Sequence, residues 1–192
     1  FCMQHWDHRK IRSWYAKACT DRGDTVEEIS TLEHSVMLDS SYAGLVSEYS
    51  LRLKDLYKDA GRMQDYQNIM WRIVTQIKPG NLALFREFKA QFGTEEWPEV
   101  REQVFNALST RHSALMELYR EEELLDRLMK EVMSTGGIHS ARLYKDELLP
   151  LYPTEYLKIY EKETEQSAVH VSNRQHYREL ADLLLEIRDL PG

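Results

Sequence analysis

Apolar residues recur at steps of three and four along most of this chain, most regularly between Gly44 and Ile77. Leu45, Val46, Tyr49, Leu53, Leu56, Tyr57 and Ala60 form one stripe, and Tyr66, Ile69, Met70, Ile73, Val74 and Ile77 form another. This spacing is that of an α-helix with a single apolar face. Ala60-Gly61-Arg62 lies between the stripes, where glycine can take the left-handed conformation that closes a helix. The two helices therefore fold back as a hairpin that buries both stripes.

The pattern predicts more of the same on either side. Residues 3–21 read as a helix with Trp6, Ile11, Trp14, Tyr15 and Ala18 on its apolar face, ended by Gly23. Thr25 and Glu28 have capping-box spacing and open a second helix with Ile29, Leu32, Val36 and Met37 inward. Asp39-Ser40-Ser41 is a polar break able to cap the central hairpin. After Lys78-Pro79-Gly80, Asn81 can cap a short helix carrying Leu82, Leu84, Phe85, Phe88 and Phe92. Glu95-Glu96-Trp97-Pro98 is a helix start, with acids near the positive end and proline in the first turn. Later helices carry Leu115, Leu118 and Tyr119; Leu124 to Met133; Ile138 to Leu149; and Tyr156 to Tyr160. Ser172 and Gln175 have capping-box spacing before a last helix with Tyr177, Leu180, Ala181, Leu184 and Ile187 on one stripe.

Four segments share a core: LKDLYKDAG, LFREFKAQFG, LMELYREEE and YLKIYEKET. Their aromatics, Tyr57, Phe88, Tyr119 and Tyr160, are separated by 31, 31 and 41 residues. Two helices per unit at such a period is the mark of an α-solenoid. The expected fold is all-α: a tetratricopeptide-like solenoid of about four to five helical hairpins joined by short loops. It is drawn as a single repeat domain over residues 1–192, with 1–39 a less distinctive N-terminal hairpin and 40–192 the repeats.

Composition agrees. Only 8 Gly and 5 Pro interrupt the chain, too few for a turn-rich strand fold. The formal charge of −7, from 25 basic and 32 acidic residues, argues against a general grip on a phosphate backbone. Two cysteines, Cys2 and Cys19, give no disulfide framework, and reduced thiols suit an intracellular, cytoplasmic setting. No apolar run reaches the roughly 20 residues of a membrane span. The start at Phe1 without an initiator Met, and the end at Leu190-Pro191-Gly192, are read as those of a fragment of a longer protein.

Three stretches carry a family resemblance: GLVSEYSLRLKDLYKDAGRMQDYQNIMWRIV at 44–74, KPGNLALFREFKAQFGTEEWPEVREQVFNAL at 78–108, and YRELADLLLEIRDLPG at 177–192. They resemble the C-terminal helical region of bacterial SWIM zinc-finger family proteins. The family's zinc finger pairs Cys-x-Cys with Cys-x-His, and this chain has neither pair. The resemblance implies a helical scaffold appended to a finger that lies outside these residues, in a bacterial cytoplasmic protein, with no metal ligand carried over.

Candidate chemistry is sparse. Cys2, His5 and His8 share a helix face able to meet a transition metal, yet a closed site needs a fourth ligand. His170 and His176 flank a turn, and His112 starts a helix; all three suit polar surfaces. Glu121-Glu122-Glu123 and the acids from Glu161 to Glu165 read as solvated helix faces, not as a catalytic pair with separated environments. No catalytic residue, metal or cofactor is assigned. Most aromatics have core spacing; Trp71 and Trp97 fit the stripes less well and are the expected partner-binding anchors. The reading is a non-enzymatic module for protein–protein contact or scaffolding. Its groove, with an acidic rim suited to a basic protein or peptide or to other domains of the parent chain, would contact neither nucleic acid nor membrane. The alternative is a structural spacer of a nucleic-acid-associated regulatory protein.

Overall fold

The computed structural model describes residues 5–169, 173–188 and 190. Among these the protein is all-α, with twelve α-helices and no strand. The chain gathers into two compact units, Phe1–Ser109 and Thr110–Gly192.

The first unit holds α1 (Arg9–Arg22), α2 (Thr25–Leu38), α3 (Ala43–Asp59), α4 (Met63–Arg72), α5 (Leu82–Lys89) and α6 (Trp97–Ala107). Each of α1 to α5 packs on its neighbour in the chain. The predicted hairpin is α3 and α4, and its stripe is buried at Leu53, Leu56, Tyr57, Tyr66, Ile69 and Met70. A π-helical turn, Ile73–Ile77, continues α4, with the Lys78 N–H donating to the Ile73 carbonyl. This turn lies against α3, α5 and α6 at once. Being enclosed from several sides, it buries three consecutive residues, Ile73, Val74 and Thr75, which a one-sided helix cannot do.

Helix ends follow local chemistry, with two corrections. The cap of α2 is Asp24, whose side chain accepts the Glu27 N–H, and not the Thr25–Glu28 box. The Asp39-Ser40-Ser41 break does not cap α3, which starts from Tyr42 with no side-chain cap. Asn81 caps α5 as expected, accepting the Leu84 N–H, and Pro98 sits in the first turn of α6.

The second unit holds α7 (His112–Glu121), α8 (Leu125–Glu131), a π-helical turn (Val132–Gly136), α9 (Gly137–Leu143), α10 (Lys145–Leu148), α11 (Pro153–Val169) and α12 (Arg174–Arg188). Its core joins Met116, Leu128, Val132, Tyr144, Leu148, Tyr156, Tyr160 and Leu183. The helix expected from Ile138 to Leu149 is broken at Tyr144 into α9 and α10. Ser172 lies outside the described residues; Asn173 accepts the Gln175 and His176 N–H groups at the start of α12. Of the expected α12 stripe, Tyr177 and Leu184 are exposed; Leu183 takes the buried position.

Helices α1, α3 and α7 end alike. The residue after the last turn has positive φ, at Gly23 (69°), Gly61 (68°) and Glu123 (55°). The next N–H then reaches back five residues: Asp24 to Cys19, Arg62 to Tyr57 and Leu124 to Tyr119. This is the Schellman closure. LKDLYKDAG and LMELYREEE thus end in the same geometry, with Glu123 standing where Gly61 stands. A side chain in this region is strained by about 1–2 kcal/mol, partly offset by glycine's larger unfolded-state freedom. Glu123→Gly is expected to stabilise the second unit by roughly 0.5–1 kcal/mol in chemical denaturation.

The last helix is tied on by charge. Arg142 of α9 grips Glu186 of α12 with two bonds, Nη2–Oε1 2.7 Å and Nε–Oε2 3.0 Å. The Arg142 bond holds the Glu186 carboxyl below its ordinary range, against the opposing effect of partial burial. A carboxylate with a lowered folded-state pKa adds stability at neutral pH that is lost as pH falls through the lowered value. Glu186→Gln is expected to cost under about 1 kcal/mol at neutral pH and to flatten the acid limb of the second unit's stability profile.

Candidate functional site

The most elaborate polar arrangement surrounds Arg12. Helix α1 buries Arg12, Ala16 and Cys19, which share one face. Arg12 is 1% exposed. Its Nη1 donates to the carbonyls of Trp6 (2.7 Å) and Asp7 (3.0 Å), its Nε to Ser35 Oγ (3.3 Å) and its Nη2 to Asp39 Oδ1 (2.6 Å). Tyr49 of α3 donates to the other Asp39 oxygen at 3.1 Å. The pair locks α1, the end of α2 and α3 together. Four of the five guanidinium N–H groups are bonded within this network, so the arrangement reads as a strut.

Around this strut the surface is open. A cleft of about 820 Å³ runs beside the start of α1, lined by His5, His8, Arg9, Lys10, Leu38 and Tyr42 among others. A second of about 360 Å³ lies between α1 and α3, lined by Arg9, Lys10, Trp14, Lys17, Leu45 and Glu48 among others. Trp14, expected on the apolar face of its helix, is 63% exposed on the opposite side from Arg12 and Ala16. Periodicity misplaced it because Arg12, a charged residue, occupies the inward position.

The two expected anchors lie in one aromatic cluster. Trp97, the first residue of α6, is 6% exposed, so it is a core residue, and its assignment to a surface off the stripes is corrected. Its ring meets Phe85 (5.3 Å), Phe92 (6.1 Å) and Phe88 (6.3 Å), mostly edge to face, with Lys89 Nζ 5.5 Å over it. Trp71 of α4 is half-buried and packs edge to face on Phe88 at 6.1 Å. Trp71 retains exposed surface; Trp97 has almost none.

Cys2 and His170 lie outside the described residues. His5 and His8 are exposed with ring centroids 6.1 Å apart. Among the described residues no group of three His, Cys, Asp or Glu side chains is placed to hold a metal. His112 Nδ1 lies 2.5 Å from Glu131 Oε1, linking the start of α7 to the end of α8. No described helix is long and apolar enough to cross a membrane.

Several carboxylates accept hydrogen bonds from tyrosines elsewhere in the chain. Tyr15 donates to Glu27 (3.2 Å), Tyr57 to Glu33 (2.7 Å), Tyr66 to Glu87 (2.9 Å) and Tyr144 to Glu117 (3.0 Å), and Tyr152 donates to Asp126. Burial and the adjacent carboxylate push the Tyr66 hydroxyl up to about 12, and Tyr57 and Tyr144 rise for the same two reasons. None is poised to lose a proton near neutral pH; these hydroxyls are donors that tie helices together. Glu28 and Glu87 add ion pairs to Arg52 (2.7 Å) and Lys54 (2.8 Å). Stripe spacing foreshadowed Tyr15, Tyr57 and Tyr66, but the acidic partners of the tyrosines, 12 to 27 residues away, leave no periodic trace.

Comparison with protein-family models, with curated proteins and with solved structures gives no match.

Proposed function

We propose that this chain is a non-enzymatic helical-repeat module for protein–protein contact, of tetratricopeptide-like solenoid character. The observation that carries the reading is a recurrence: tyrosine–carboxylate bonds tie α1 to α2, α2 to α3 and α4 to α5, and the same left-handed closure follows α1, α3 and α7. A chain built from such units presents successive helix faces and grooves on a rigid frame, which is how repeat proteins bind partners. Deployment of the module beside a SWIM-type zinc finger in a bacterial cytoplasmic protein is the setting that the sequence resemblance favours.

The test is affinity capture with the purified chain as bait, followed by titration of each retained protein. One partner that binds saturably supports the reading. Titrations that show no saturable partner refute it and leave the spacer role for this part of the parent chain.

A further inference from the structure

The charge of α1 runs against that of the protein. In a chain of net charge −7, the α1 sequence RKIRSWYAKACTDR holds five cations against the single acid Asp21. Arg12 is spent on Asp39 inside, and Arg22 lies against Cys19 Sγ at 3.5 Å. Arg9, Lys10 and Lys17 are on the exposed face at helical spacing, together with Trp14. Lys17 meets Asp21 only at 3.9 Å, with both side chains largely in water, a contact of little strength.

We infer that this face of α1, with the two clefts that Arg9 and Lys10 help to line, is a docking surface for an acidic peptide segment bearing an apolar anchor. The inference rests on the reading of the chain as a protein-interaction module and names its surface and partner chemistry. Trp14 supplies a large amphipathic ring that stays in water unless covered, the residue type that most often anchors interfaces. Arg9 and Lys10 stand a turn before it and Lys17 a turn after, so carboxylates flanking an apolar residue would meet cations on both sides. The first turn of α1 holds no acid, so the positive end of the helix adds to the field.

Nearby acids are few or engaged. Glu28 and Asp39 bond to arginines; Asp7 and Glu48 remain at the cleft margins. These two, with the net negative chain, disfavour a continuous phosphate backbone and leave room for a short acidic segment. The preferred partner is therefore acidic at this surface, opposite to what the overall charge predicts.

The test is fluorescence anisotropy with a fluorescein-labelled peptide carrying Leu-Phe between two runs of Glu. A matched peptide with Lys for Glu and a labelled oligothymidylate serve as competitors in kind. Saturable binding of the acidic peptide, tighter than either control and weakened by salt, is expected. Trp14→Ala, and separately Arg9→Glu with Lys10→Glu, should each weaken it at least about tenfold. Both changes fall on exposed positions, and acids suit the first helical turn, so circular dichroism should show the fold intact.

Equal binding of the Lys peptide, tighter binding of the oligonucleotide, or indifference to both variants would overturn the inference. A partner captured by the native chain and retained equally by the variants would overturn this surface while leaving the interaction reading intact. Loss of that partner in the variants would support both.

Discussion

Replacing Arg12 by methionine is expected to destabilise the first unit by roughly 3–5 kcal/mol, the cost of breaking a buried ion pair from one side. The Asp39 carboxylate would remain buried with only Tyr49 as a donor, and the Trp6 and Asp7 carbonyls and Ser35 Oγ would lose their guanidinium bonds. The double variant Arg12→Met with Asp39→Asn removes the stranded charge and should recover part of the loss, which a double-mutant cycle would measure. Because the chain has two units, hydrogen exchange resolved by segment is the better readout. Protection should fall across α1 to α3 and hold across α7 to α12. A loss below about 1 kcal/mol would mean that the pair is not buried as described.

Trp97→Ala should cost a similar amount, about 3–5 kcal/mol, by emptying the space that Phe85, Phe88 and Phe92 enclose. Trp71→Ala removes a half-buried ring and should cost less, roughly 1–3 kcal/mol. The contrast bears on function. A binding defect in the Trp97 variant would be a folding defect, visible as loss of near-ultraviolet dichroism. A defect in the Trp71 variant with the fold intact would make Trp71 a true contact. Equal and small losses for both would contradict the burial of Trp97.

What the sequence revealed follows from the range of each cause. Gly61, Asn81 and Pro98 act within a few residues, and the structure uses each where it was expected. The stripe of α3 and α4 was legible because one-sided burial imposes a period. Trp97 was misplaced because a residue in the first turn has no preceding turn to reveal a stripe; Phe85 and Phe88 of α5 pack on its ring. Arg12 was invisible because its partner stands 27 residues away and its charge argued for the outside. The π turn Ile73–Ile77 went unseen because three adjacent buried residues obey no single face. Glu123 concealed its likeness to Gly61, since its left-handed conformation is imposed by the closure after α7 and not by the residue. At the candidate docking surface, Lys17 joins the Arg9-Lys10 pair only on the helix surface, seven residues on from Lys10, so the three did not read as one basic patch.

The proposed function requires that the chain bind another protein. Isothermal titration of the protein captured by the native chain tests this most directly. The claim predicts one saturable transition at fixed stoichiometry, with a negative heat-capacity change from covering apolar surface. Heat that scales with concentration without saturating, for every protein retained, would contradict it.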